Sequence, residues 1–212
     1  MTVIDNFNTI LLDVKKYSKQ DVVVVAVSKN FSLDIINKLI EKGHNHYGEN
    51  RVKEAIEKWS SYLSRNQNIN LHLIGQLQSN KVKDAVKIFS YIHSVDSEKL
   101  ALKINVEQKK ISKNIKCFIQ VNFGKEKQKG GIDEHELDEF VSFCKFENDL
   151  NVIGLMCIPP INEPADFFFK KLKVLAERNN LRELSMGMSS DYIDALKVGA
   201  TYVRIGSSIF GV

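Results

Sequence analysis

Two hydrophobic patterns alternate along this chain. Short apolar runs bounded by polar residues occur at 22–28, 46–47, 71–74, 91–93, 115–122, 152–155, 183–185 and 202–205. The first contains Val-Val-Val-Val-Ala-Val, mostly β-branched, as in a strand buried on both faces. Between the runs, apolar positions return at helical spacing over 33–42, 49–63, 80–89, 97–108, 134–146, 163–179 and 190–198. Before the first strand, Val3, Ile4, Phe7, Ile10, Leu11 and Val14 repeat at the same spacing and predict one extra amphipathic helix. Ser32 and Asp96-Ser97 stand where helices should start, and Gly43 and Gly199 where they should end.

Strands alternating with helices imply a parallel sheet. Eight strands are enough to close into a (β/α)₈ TIM-type barrel, here with an extra N-terminal helix and near the lower size limit of that fold. A doubly wound open sheet fits the same spacing and stays open at this point. There is no solenoid-period repeat or low-complexity stretch, so one domain over 1–212 is expected.

Composition narrows the class without identifying a function. The chain has 212 residues, 43% hydrophobic and 26% charged, with a net charge of +4, as in an ordinary globular protein. That mild basicity would suit an anionic ligand or weak nucleic-acid contact and discriminates neither. The densest lysine cluster, over 125–129, is interleaved with Glu126 and reads first as a solvated loop, second as a phosphate-grasping one. Cys117, Cys144 and Cys157 cannot form a closed disulfide set and lack metal-ligand spacing, so buried reduced thiols are expected. The first twenty residues lack a signal-peptide pattern and no segment approaches transmembrane length, so the cytoplasm is the expected compartment.

In a barrel of this type, chemistry belongs to the segments after the strands. Lys29 follows the first strand. Alone, it reads more readily as a lysine that snorkels to solvent than as a desolvated Schiff-base amine with its stem in the core. Strand seven leads into Ser185-Met186-Gly187-Met188-Ser189-Ser190-Asp191, and strand eight into Gly206-Ser207-Ser208. Small residues and hydroxyls at helix starts can cradle an anion, at the two strands where such barrels often hold a phosphate. Asp191 and Asp194 read as dipole complements at a helix start, and His72 and His93 as hydrogen-bonded core groups. His44 and His46 fall on the side of the barrel away from the chemistry.

Several ordered segments carry a family resemblance. They are Ala26-Val27-Ser28-Lys29, Tyr47-Gly48-Glu49-Asn50-Arg51-Val52, His72 through Lys81 (His-Leu-Ile-Gly-Gln-Leu-Gln-Ser-Asn-Lys), Gly154-Leu155-Met156, and Leu184 through Ser189 on to Val203-Arg204-Ile205-Gly206-Ser207. Over essentially its whole length the chain resembles the pyridoxal phosphate homeostasis proteins, single-domain relatives of the alanine racemase N-terminal barrel. That resemblance implies pyridoxal 5′-phosphate (PLP) as cofactor, with Lys29 as its covalent Schiff-base lysine. It implies Ser189, Gly206, Ser207 and the backbone of Met188 as phosphate contacts, Arg204 facing the pyridine nitrogen, and Asn50 as a polar neighbour. Leu71, Gln76, Tyr47, Ser207 and Gly130-Gly131 depart from the family's usual residues, and Gln76 leaves the role of the third-strand loop open.

An arginine at the pyridine nitrogen donates to it and weakens the ring as an electron sink. The sequence ends at Val212, directly after the last barrel segment, so a racemase-type second domain is not expected. The resemblance therefore implies a PLP carrier in vitamin B6 homeostasis, without robust catalysis. Its expected partners are PLP and PLP-dependent apo-enzymes, not a specific nucleic acid or a membrane, and a monomer is expected. Two alternatives remain: a PLP-dependent racemase or decarboxylase, and an aldolase that uses Lys29 without PLP.

Overall fold

The computed structural model describes residues 2–65, 68–124 and 130–211. Within them, strands β1 (Val23–Val27), β2 (His46–Glu49), β3 (Asn70–Leu73), β4 (Tyr91–Val95), β5 (Lys116–Val121), β6 (Val152–Cys157), β7 (Glu183–Ser185) and β8 (Tyr202–Ile205) pair in sequence order. All pairs are parallel, and β8 returns to β1 with Val25 opposite Arg204 and Ala26 opposite Ile205. The sheet is thus a closed barrel, which decides against the open doubly wound alternative.

Helix α1 (Val3–Tyr17) precedes the barrel. The crossovers carry α2 (Leu33–Ile40), α3 (Val52–Leu63), α4 (Val82–Ile88), α5 (Glu98–Lys110), α6 (Leu137–Ser142), α7 (Ala165–Arg178) and α8 (Tyr192–Val198), and α9 (Ser207–Phe210) follows β8. Thr2 and Asp5 form a reciprocal capping box at the start of α1, while Lys15 and Lys16 complement the dipole at its end. Tyr192 donates to Asp13 at 2.7 Å and Asn6 to the Ile209 carbonyl at 3.0 Å, which tie α1 to α8 and α9.

The differences from the sequence pattern have local causes. Strand β2 runs on to Glu49, because the Glu49 carboxylate is buried and accepts from Ser28, Lys58 and Trp59; α3 consequently starts at Val52. Ser32 and Ser97 occupy N-cap positions, but neither side chain makes a capping hydrogen bond. Residues 79–81 wind as a 3₁₀ turn before α4, and α6 passes into a π-helical turn at Phe143–Glu147. Gly199 ends α8 at φ 114°, as its position suggested.

The core has two parts. A large apolar layer lies between barrel and helices, with Ile36, Leu39, Trp59, Phe89, Ile104 and Phe169 fully buried. Inside the barrel, a smaller cluster of Val25, Tyr91, Phe118, Met156 and Tyr202 shares space with polar side chains. Cys117, Cys144 and Cys157 are free and buried, and burial pushes the Cys144 and Cys157 thiols up to about 12. Among the described residues, no helix is long and apolar enough to cross a membrane.

Candidate functional site

Side-chain alternation along the strands decides what reaches the barrel mouth. On β1, Val25 packs inside the barrel, and a Cβ at Gly48 would touch both Val25 and Val27. Ser28, of opposite parity, turns outward to Glu49 at 2.7 Å. Lys29 follows on the interior parity, in a turn that Asn30 completes at φ 66°. Its side chain is exposed, which corrects the expectation of a stem held in the core; the open rim leaves it to solvent.

The Lys29 turn is held from behind. Lys58 of α3 donates to the Ser28 carbonyl at 2.7 Å and to Glu49 Oε1 at 2.9 Å, and Trp59 Nε1 donates to the same oxygen at 3.0 Å. Lys58 compensates the charge and three donors meet on Oε1 of this fully buried carboxylate, while Oε2 has no hydrogen-bond partner.

Across the β1–β8 seam lies the small-residue segment. A Cβ at Gly206 would come within 3.3 Å of Val27, so the turn after β8 abuts the end of β1. The backbone N–H groups of Gly206 and Ser208 converge on Ser189 Oγ at 3.4 and 3.3 Å, which brings together the segments after β7 and β8. Ser207 is exposed beside them. Gly187, at φ 92°, lets β7 pass close to α8, since a Cβ would lie 2.6 Å from the Ala195 methyl. The Met188 N–H is already engaged, donating to Asp191 Oδ1 at 2.6 Å, so it is not free for a ligand in this arrangement. Burial raises the Asp191 carboxyl above its usual range, against the lowering effect of that hydrogen bond.

Arg204 lies below this rim, 3% exposed. Its guanidinium donates to Ser185 Oγ at 2.6 Å and to the Cys157 carbonyl at 3.0 Å. Asn50 stands on the other side of the mouth, lining a cavity of about 430 Å³ with Arg51, Lys53, Gly75, Gln76 and Lys81. A Cβ at Gly75 would overlap the Asn50 main chain, so glycine permits that close approach. The residues implied by the resemblance therefore fall on two parts of the rim: Lys29, Met188, Ser189, Arg204, Gly206 and Ser207 along the β7–β8–β1 arc, and Asn50 in the neighbouring cavity, which Gln76 also lines. The cluster at 125–129 lies outside the described residues.

Inside the barrel the histidines line up. His46 Nδ1 lies 2.8 Å from His72 Nε2, His72 Nδ1 2.9 Å from His93 Nε2, and His93 Nδ1 2.8 Å from Ser185 Oγ. The core role expected for His72 and His93 holds, but their connection to Arg204 was missed. A parity count would have placed these residues on inward positions of their strands, though not their partners. Burial holds His46, His72 and His93 below the usual imidazole range; Arg204's charge adds to the effect at His93, and Lys116's at His46. Among the described residues, no group of three or more His, Cys, Asp or Glu side chains is arranged to hold a metal ion.

Comparison with known proteins places the chain in a family and a fold. The family model described as the alanine racemase N-terminal domain matches residues 5–212. Curated relatives include the pyridoxal phosphate homeostasis proteins of Synechocystis, 36% identical over 89% of this chain and 90% of theirs, and of Aquifex aeolicus, 36% identical over 89% and 86%. The solved structure of PipY from Synechococcus elongatus with PLP bound superposes with a TM-score of 0.87 at 32% identity, covering 99% of this chain and 100% of that one. Clostridium difficile alanine racemase shares the fold alone, at 17% identity and a TM-score of 0.75, and this chain covers 57% of its length.

Proposed function

We propose, from the premise that this chain belongs to the pyridoxal phosphate homeostasis protein family, that it binds PLP at the β7–β8–β1 arc and holds or delivers it. The observation that carries this is the adjacency, across the β1–β8 seam, of the end of β1, which leads into the exposed Lys29, and a turn whose N–H groups already converge on an oxygen. The site fits such a cofactor chemically: an amine for an aldehyde, a cradle of small residues for a phosphate, and a buried guanidinium beneath. PLP supplies, when bound, an aldehyde that condenses reversibly with amines and a ring that withdraws electrons.

This chain's own groups divide the work. Lys29 offers the amine that takes up the aldehyde. Ser189, Gly206 and Ser207 would hold the phosphate, the N–H groups now on Ser189 Oγ turning to it. Met188 contributes its backbone only if Asp191 releases the Met188 N–H. Arg204 has donors alone, so a ring nitrogen facing it would stay without a proton, which would favour storage over carbanion chemistry. Asn50 would border the ligand from the adjoining cavity. We take residues 1–212 as one binding unit, monomeric and cytoplasmic, with PLP-dependent apo-enzymes as recipients.

The test is a PLP titration followed by borohydride reduction and peptide mapping. A visible band should appear, and reduction should fix the cofactor on Lys29; in Lys29→Ala both should fall to background. Steady α-proton exchange on an amino acid, lost in the same variant, would favour a racemase-type enzyme instead. A protein that stays colourless with PLP would favour the PLP-free aldolase.

A further inference from the structure

Arg204 can only donate hydrogen bonds, and one sense of the links below it leaves every buried proton an acceptor, His93 Nδ1 being the partner in reach of the Ser185 hydroxyl proton. Ser185 Oγ accepts from the guanidinium at 2.6 Å, so the serine's one proton is left for His93 Nδ1 at 2.8 Å. With Nδ1 accepting, neutral His93 carries its proton on Nε2 and donates to His72 Nδ1 at 2.9 Å. His72 in turn donates from Nε2 to His46 Nδ1 at 2.8 Å. Arg204, Ser185, His93 and His72 are all nine-tenths or more buried, and His46 is half-buried at the foot of the barrel. Ring contacts hold the column in place: His72 stacks on Tyr91 at 4.1 Å and His93 on Phe118 at 4.3 Å between centroids.

We propose that Ser185 and His93, backed by His72 and His46, are positioning residues for Arg204. The column gives the buried guanidinium a fixed acceptor on its inner side, so that its remaining N–H groups keep one orientation toward the mouth. A guanidinium in a sealed interior has few acceptors, and without the serine oxygen it would turn toward other carbonyls. The column also stays uncharged, so it aligns Arg204 without adding a second cation beneath the ligand. This rests on the PLP reading above, because the oriented donor is the one that would meet the ring nitrogen.

The experiment compares the parent with Ser185→Ala, Ser185→Thr and His93→Phe. The last keeps the ring stack on Phe118 and removes the link. In Ser185→Ala and His93→Phe, borohydride should still fix PLP on Lys29, but the visible maximum should shift and release of PLP to an acceptor should be about tenfold faster. Ser185→Thr, which keeps the hydroxyl, should restore both. Nitrogen-15 NMR of the PLP-free parent should show His72 and His93 neutral and protonated on Nε2; a proton on Nδ1 of either would reverse the donor sense and overturn the inference. If the parent binds PLP and both cuts leave band and release unchanged, the inference fails alone. A parent that forms no band removes the PLP reading and the inference together.

Discussion

The outer and inner faces of the same eight strands are built on different principles. Outward, they meet helices through a continuous apolar layer in which Trp59, Phe89 and Phe169 are sealed. Inward, the apolar cluster is small, and His46, His72, His93, Ser185 and Arg204 take much of the remaining space. The outer layer needs only volume and hydrophobicity, which many sequences supply. The inner column needs each donor matched to an acceptor, because an unmatched buried polar group costs stability. Stability therefore resides mainly outside the barrel, and the inner face carries the matched polar groups to which the proposal assigns ligand orientation.

The largest test of that division is Phe169→Ala. Phe169 is fully buried between barrel and helices, and its truncation should cost about 3–5 kcal/mol in urea unfolding. The PLP band of the surviving folded protein should keep its position, since nothing in the column moves. A shifted band would show that the two faces are coupled.

Acid should strike the inner face. His46, His72 and His93 are held below the usual imidazole range, and His44, which packs outside the column against Phe7 and Tyr47, is held down to about 4, in each case first by burial. Unfolding releases these rings to an ordinary value near 6.5, where they bind protons the folded state refuses. Their cost is absent above about pH 6.5 and grows as pH falls, by roughly 1.4 kcal/mol per pH unit for each ring still neutral in the fold. Thermal melts from pH 7 to pH 5 should fall accordingly, and His93→Phe should flatten the slope. A slope unchanged in that variant would remove His93 from the account.

The smallest effect is expected on the outside surface. Lys170 and Asp166 pair at 2.7 Å on α7 with both side chains well exposed, so Asp166→Asn should change stability by about 0.5 kcal/mol or less. A cost several times larger would mean that the helix surface contributes more than the apolar layer suggests.

What could be read in advance follows the range of the physics. The six-residue apolar stretch that ends at Val27, and the helical spacing of Phe7, Ile10 and Val14, are local signals, and they placed β1 and α1 within a residue or two. Where a boundary moved, a distant partner moved it: Glu49 remains in β2 because Ser28 and Trp59 bury its carboxylate. Lys29 was found at the strand end, but its exposure depended on how far the rim opens. The availability of the Met188 N–H depended on where the Asp191 side chain turned.

By itself the sequence determined the order of strands and helices, the parity that sends Arg204 inward, the place of Lys29 just past β1, and the small residues after β7 and β8. Each is written within a few neighbouring residues, where period and steric permission act. Only the tertiary structure decided that the sheet closes and that a histidine column ends on Arg204. Its links join residues 26, 21, 92 and 19 positions apart, which meet only once every strand has found its register around the barrel. Hydrogen bonds act over about 3 Å, so no local pattern can state them before the chain has closed.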